Sequence, residues 1–306
     1  MDSAGNIYGT TYSGGANNNS GGTVFKLTPG SGGTYSESVL WSFGGTGDGV
    51  NPYAAGLIMD SAGNLYGTTA GGGAHSFGTV FKLTSGSGGT YTESVLWSFG
   101  GTNDGKNPYA RLVMDSSGNL YGTTYTGGAN SHGTVFKLTP GSGGTYSESV
   151  LWSFGGTSDG TYPEAGLVMD SAGDLYGTTS GGGANNNSGT VFKLTPGSGG
   201  TYTESVLWTF GATGDGASPY AGLVMDNAGN LYGTTSGGGA NNNSGTVFKL
   251  TPGSGGTYTE SVLWSFGGTG DGVGPYAGLV MDSAGNIYGT TYIGGANRSG
   301  TVFKIN

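Results

Sequence analysis

The chain has 306 residues, of which 71 are glycine and 9 proline, a share that would mean low complexity if it lacked a period. Charged residues make up only 9% and the net charge is −9, so phosphate backbones and anionic membrane surfaces would repel the chain, which argues against nucleic-acid binding. The absence of cysteine excludes disulfides and thiolate metal sites. No run approaches the roughly 18 apolar residues of a membrane span, and no signal peptide is expected in this segment.

The glycines do have a period. The dipeptide Met-Asp recurs at Met1, Met59, Met114, Met169, Met225 and Met281. The repeat units are therefore about 1–58, 59–113, 114–168, 169–224, 225–280 and a partial 281–306, expected to build one domain over 1–306. Within a unit the apolar runs fall at 167–170, 175–179, 190–195 and 202–210, named strands A to D in chain order. Each is rich in Val, Leu, Tyr, Phe, Thr and Trp and is bounded by Gly, Asn, Asp and Ser, and none shows helical spacing for long enough to compete.

Strands in fours, separated by turns, predict an all-β fold: a six-bladed β-propeller of four-stranded repeats of about 55 residues. The first blade lacks its inner strand and the last its outer one. One unit buries too little apolar surface to offset the entropy of ordering its backbone, so each blade must share its faces with neighbours. Strand A then lies innermost and D outermost, with A–B and C–D turns at one end and B–C and D–A loops at the other.

A four-residue C–D loop would set Lys26 opposite Glu37, Val24 opposite Val39 and Phe25 opposite Ser38. It would likewise pair Lys82 with Glu93, Lys137 with Glu148, Lys193 with Glu204 and Lys249 with Glu260, fixing register. Lys304 is left without such a partner. Trp41, Trp97, Trp152, Trp208 and Trp264 alternate in phase with Val39 and Phe43 and their equivalents, which predicts core between blades.

The runs D-S-A-G-N-L-Y-G-T-T, G-T-V-F-K-L, V-L-W-S-F-G and D-G-x-x-P-Y-A-G-L resemble the GloVer tandem repeats, the Gloeobacter/Verrucomicrobia type found in choice-of-anchor tandem repeat proteins. The resemblance covers the whole chain. It implies a bacterial protein that is extracellular or held at the cell surface, with no assigned activity and no catalytic residues.

Repeats compared within the chain vary most in the B–C loops, such as 13–22, 70–78 and 292–300, and in the D–A loops at Val50-Asn51, Lys106-Asn107, Thr161-Tyr162 and Ala217-Ser218. Binding usually evolves on loops of a rigid scaffold, so this variable face is the candidate binding face; the alternative is free drift of exposed loops. Tyr53, Tyr109, Tyr220 and Tyr276 follow Pro at the entrance to strand A, whereas the fourth unit has Glu164 there and Tyr162 just before its Pro. Such a set could stack on a sugar or a peptide, or plug a channel.

His75 with Phe77, His132, Lys106, Arg111, Glu164, Asp174 and Arg298 are the charged or histidine residues outside the repeat pattern, and they form no recognisable catalytic set. Asp48, Asp104, Asp159, Asp215 and Asp271 each precede Gly. Calcium suits oxygen-rich loops, but one carboxylate per loop favours bonding within the turn. Asp60, Asp115, Asp170, Asp226 and Asp282 read as turn formers too. Sequons at Asn18, Asn186, Asn242 and Asn297 carry little weight in a bacterial chain.

The sequence therefore predicts a non-enzymatic binding or structural scaffold with no cofactor and an unidentified ligand, a glycan or another surface protein. Its rival is a filament subunit or homo-oligomer joined through open strand edges, which light scattering would separate. A propeller hydrolase or lyase ranks third.

Overall fold

The computed structural model describes residues 1–17, 21–53 and 56–306. The sequon at Asn18 lies outside the described residues. The sheets have the A–B–C–D order of propeller blades, and the chain is a six-bladed, all-β propeller. Its contacts fall into two compact units, 1–129 with 134–151 and 130–133 with 152–306.

The first unit opens with a three-stranded sheet, Ile7–Thr11, Thr23–Pro29 and Tyr35–Ser42. A complete blade follows at Ile58–Met59, Leu65–Thr69, Thr79–Ser85 and Tyr91–Ser98. The third sheet is Val113–Met114, Leu120–Thr124, Thr134–Pro140 and Tyr146–Ser153. In the second unit the fourth blade is Val168–Met169, Leu175–Thr179, Thr190–Pro196 and Tyr202–Thr209. The fifth is Val224–Met225, Leu231–Thr235, Thr246–Pro252 and Tyr258–Ser265, and the last sheet is Val280–Met281, Ile287–Thr290 and Val302–Ile305.

The A–B turn is built by its aspartate. Asp60 Oδ1 accepts from the amides of Ala62 and Asn64 at 3.0 and 2.9 Å, while Oδ2 accepts from the Asn64 side chain and the Tyr66 hydroxyl. Burial opposes the charge at Asp60, Asp115 and Asp226, yet the Asn side chain, the amides and the Tyr hydroxyl together hold these carboxyls below their usual range. The expected turn-forming role is what the geometry shows.

The C–D register differs from the expectation by one residue. Gly197 N donates to Thr201 O at 2.8 Å, so the hairpin closes around five residues, with Gly199 and Gly200 at φ 71° and 81°. That extra residue moves Lys193 opposite Ser205 and Glu204 opposite Leu194. The same shift sets Lys26 against Ser38, Leu27 against Glu37, Lys82 against Ser94 and Lys249 against Ser261. A slip of one residue turns side chains to the opposite face, so the predicted Lys–Glu pairs do not form.

Lysine goes instead to the face it shares with strand B. Lys82, Lys137, Lys193, Lys249 and Lys304 lie 5.4 to 5.7 Å from the ring centres of Tyr66, Tyr121, Tyr176, Tyr232 and Tyr288. In the fourth blade Asp174 replaces the usual Asn, and Lys193 Nζ pairs with it at 2.5 Å. A β-bulge after Val24 and its equivalents brings Trp41 opposite Val24 and Val39 opposite Phe25, correcting both predicted partners.

The deepest core is phenylalanine rather than tryptophan. Phe43–Phe81 and Phe99–Phe136 meet in the first unit, and Phe154–Phe192, Phe210–Phe248 and Phe266–Phe303 in the second, all at 4.9 to 5.0 Å. Each pair joins the residue after one D strand to strand C of the next blade. Trp41, Trp97 and Trp208 pack half-buried against these clusters, whereas Trp264 is exposed.

Candidate functional site

The D–A and B–C loops are tied together by a ladder that the sequence did not reveal. Gly49–Val50 pairs with Gly71–Gly72, Gly105–Lys106 with Thr126–Gly127, and Gly160–Thr161 with Gly181–Gly182. The pattern continues at Gly216–Ala217 with Gly237–Gly238 and Gly272–Val273 with Ile293–Gly294. The next residue bridges two blades: Ser218 N donates to Ser188 O at 2.8 Å, and Ser218 O accepts from Ser236 N at 3.1 Å. Within each unit the loops thus form a fixed platform, and their side chains project from anchored backbone.

Tyrosines cover that platform. In the first unit Tyr12, Tyr53, Tyr109 and Tyr125 make a continuous run, with successive ring centres 5.8, 5.1 and 5.4 Å apart. In the second unit Tyr220, Tyr276 and Tyr292 make another, at 5.6 and 5.8 Å. Tyr276 and Tyr292 are 51% and 72% exposed, so much of each side chain is within reach of a ligand. Beside them lies an open groove of about 420 Å³, with Ser218, Ser236, Asn243, Tyr276, Tyr292 and Ile293 in its wall. Sequence reasoning had Tyr53, Tyr109, Tyr220 and Tyr276 but missed Tyr12, Tyr125 and Tyr292. Their signal was present: each directly follows the G-T-T that ends strand B.

The fourth repeat departs from its sisters. Tyr162 takes φ 62°, where the other units place Asn51, Asn107, Ser218 and Gly274 at similar angles. A bulky side chain there is unusual and marks a position held by its surroundings. His132 packs on Tyr162, ring centres 5.5 Å apart, with its Nδ1 2.6 Å from Asn130 O. Ser180 Oγ donates to Glu164 Oε1 at 3.1 Å. Burial pushes the Glu164 carboxyl up against the pull of that bond, and burial followed by the Glu164 charge raises the Tyr220 hydroxyl. His132, Tyr162, Glu164 and Tyr220 thus belong to one neighbourhood, linked through the His132 ring, the Ser180 hydroxyl and the Glu164 charge.

His75 lies in its B–C loop against the backbone at Gly100, and Arg298 takes φ 56° in the last B–C loop. Lys106 Nζ sits 4.3 Å from the centre of the Phe77 ring.

The five loop aspartates bond within their turns. Asp104 Oδ1 accepts from Gly105 N at 2.6 Å, and Oδ2 faces Gly100 N, Gly101 N and Trp97 Nε1 at 3.1 to 3.4 Å. Asp48, Asp159, Asp215 and Asp271 hold Trp41, Trp152, Trp208 and Trp264 in the same way. Among the described residues no three acidic or histidine side chains gather into a metal-sized cluster.

A family model described as the Gloeobacter/Verrucomicrobia repeat matches residues 1–213 and 170–306. No curated protein matches the sequence. Among solved structures the chain is similar to PorZ, a bacterial surface component of the type-IX secretion system of Porphyromonas gingivalis: 16% identity, TM-score 0.52, covering 92% of this chain and 36% of that one. An ancestral GH74 enzyme shows 11% identity and TM-score 0.61, covering 98% of this chain and 40% of that one. A glucose dehydrogenase shows 13% identity and TM-score 0.51, covering 94% and 93%. The chain therefore spans well under half of the first two. At these identities the likeness is one of fold.

Proposed function

The chain belongs to the Gloeobacter/Verrucomicrobia repeat family, and from that premise we propose that it is a non-catalytic binding module of the bacterial cell surface whose tyrosine-covered loop platform holds a neutral glycan. The observation that carries this reading is the groove at Tyr276 and Tyr292. Tyrosine faces suit the apolar faces of sugar rings, and Ser218, Ser236 and Asn243 supply short polar groups for hydroxyls. The wall of the groove carries no charged side chain, which favours a neutral ligand over an acidic or basic one. That one similar protein is a surface component fits a surface location.

The test is affinity electrophoresis of the whole protein through gels containing soluble neutral polysaccharides. Retardation is expected, and the Tyr276→Ala, Tyr292→Ala double variant should lose at least about tenfold in affinity, since stacked rings contribute on the order of 1 kcal/mol each. Unchanged mobility of the wild type in every gel, or equal retardation of the double variant, would remove the glycan.

A further inference from the structure

The one-residue register shift has a chemical result away from the loop platform. It turns Glu93, Glu148, Glu204 and Glu260 toward the preceding blade. One carboxylate oxygen of each is shut off from solvent and has no hydrogen-bond partner among the described residues. Opposite them stand the loop aspartates Asp48, Asp104, Asp159 and Asp215, near enough to act on each glutamate electrostatically.

Glu204 lies in the wall of one such seam. A recess of about 450 Å³ separates the blades, its wall including Trp152, Gly156, Ser158, Asp159, Glu204 and Val206. Asp159 accepts from Gly160 N at 2.6 Å, Gly155 N at 3.1 Å and Trp152 Nε1 at 3.3 Å; burial pushes this carboxyl up, and these donors work against that by favouring its charged form. On its own strand Glu204 is flanked by Thr203 and Ser205, and across the ladder it faces Leu194. The nearest lysine in the ladder, Lys193, is turned to the other face and bound to Asp174. Asp159 and Glu204 are the two ionisable groups in the wall, and no cation joins them there. Two uncompensated negative charges side by side in a half-buried seam are unfavourable, and a proton on one of them relieves this.

We propose that each seam holds its glutamate as the neutral acid, so that the blades grip tightest in acid and loosen as the medium turns alkaline. Burial first, and the facing aspartate second, push Glu93, Glu148, Glu204 and Glu260 up to about 7 from an ordinary 4.5. Between those values the folded chain binds more protons than the unfolded one, so stability falls with rising pH. The contribution is complete below pH 4.5 and is lost as pH climbs through about 7.

The experiment is thermal unfolding of the whole protein from pH 5 to 8, beside a variant with Glu93, Glu148, Glu204 and Glu260 all changed to Gln. Glutamine keeps the shape and stays neutral. The wild-type Tm should drop by about 5 °C or more over this range, while the Gln variant should lose most of that drop, Glu164 being left to titrate, and exceed the wild type at pH 8. Glu37→Gln, at the exposed counterpart on the first blade, should keep the wild-type profile. A flat wild-type profile, or equal losses in the Gln variant at both ends, would overturn the proposal. A calcium-induced gain in Tm at pH 8 that the Gln variant lacks would do so too, by making the seam a cation site. Should the fourfold variant fail to fold, Glu204→Gln alone and the infrared carbonyl band of protonated carboxyl groups in the wild type decide the matter. That band should be present near pH 6 and vanish by pH 9; its absence near pH 6 would overturn the proposal.

Discussion

Gly177 sits in the middle of strand B, where glycine ordinarily weakens a strand. A Cβ there would stand 2.5 Å from the Phe192 ring and 3.0 Å from Leu167 Cδ2, so the ring packs directly on the backbone. Phe192 is fully buried against Phe154 and has nowhere to retreat. Gly177→Ala should therefore cost about 1–3 kcal/mol by overpacking, read as a lowered urea midpoint with unchanged slope. The sequence displayed this glycine in every L-Y-G-T-T or I-Y-G-T-T run, but its reason lies on another strand. Tyr162 and Glu164 show the reverse: their departure from the repeat was visible in the sequence, and the structure supplied the contacts with His132 and Ser180.

Among the elements, strands A to D were legible because alternation and turn residues are local signals. Strand B matched its expected run of 175–179, and strand C was one residue longer at Thr190–Pro196. The C–D register was misread because it depends on whether a Gly-rich hairpin closes with four residues or five, and Gly-Ser-Gly-Gly-Thr fits both on paper. The two-residue strands of the loops were missed for a related reason. Gly160–Thr161 and Gly181–Gly182 have no apolar pattern and become strands only through each other. The joint between successive blades rests on the phenylalanine pairs, so Phe192→Ala should lower stability by about 3–5 kcal/mol in denaturant unfolding. A loss below about 1 kcal/mol would show that the seam does not depend on the Phe154–Phe192 contact.

For the molecule as a whole, the 55-residue repeat already implied that no blade is self-sufficient. A peptide covering residues 169–224 alone should show no cooperative thermal transition by circular dichroism, whereas the full chain should unfold with one. The repeat count, the four-strand blade and the propeller class were fixed by periodicity, since local pattern and the need to bury apolar surface both act along the chain. Tertiary structure alone decided which side chains meet: lysine over tyrosine instead of beside glutamate, glutamate facing aspartate across a seam, and tyrosines from separate repeats in continuous rows. Those pairings depend on a one-residue loop difference and on contacts between strands and loops from 16 to 56 residues apart, which local alternation along the chain does not specify.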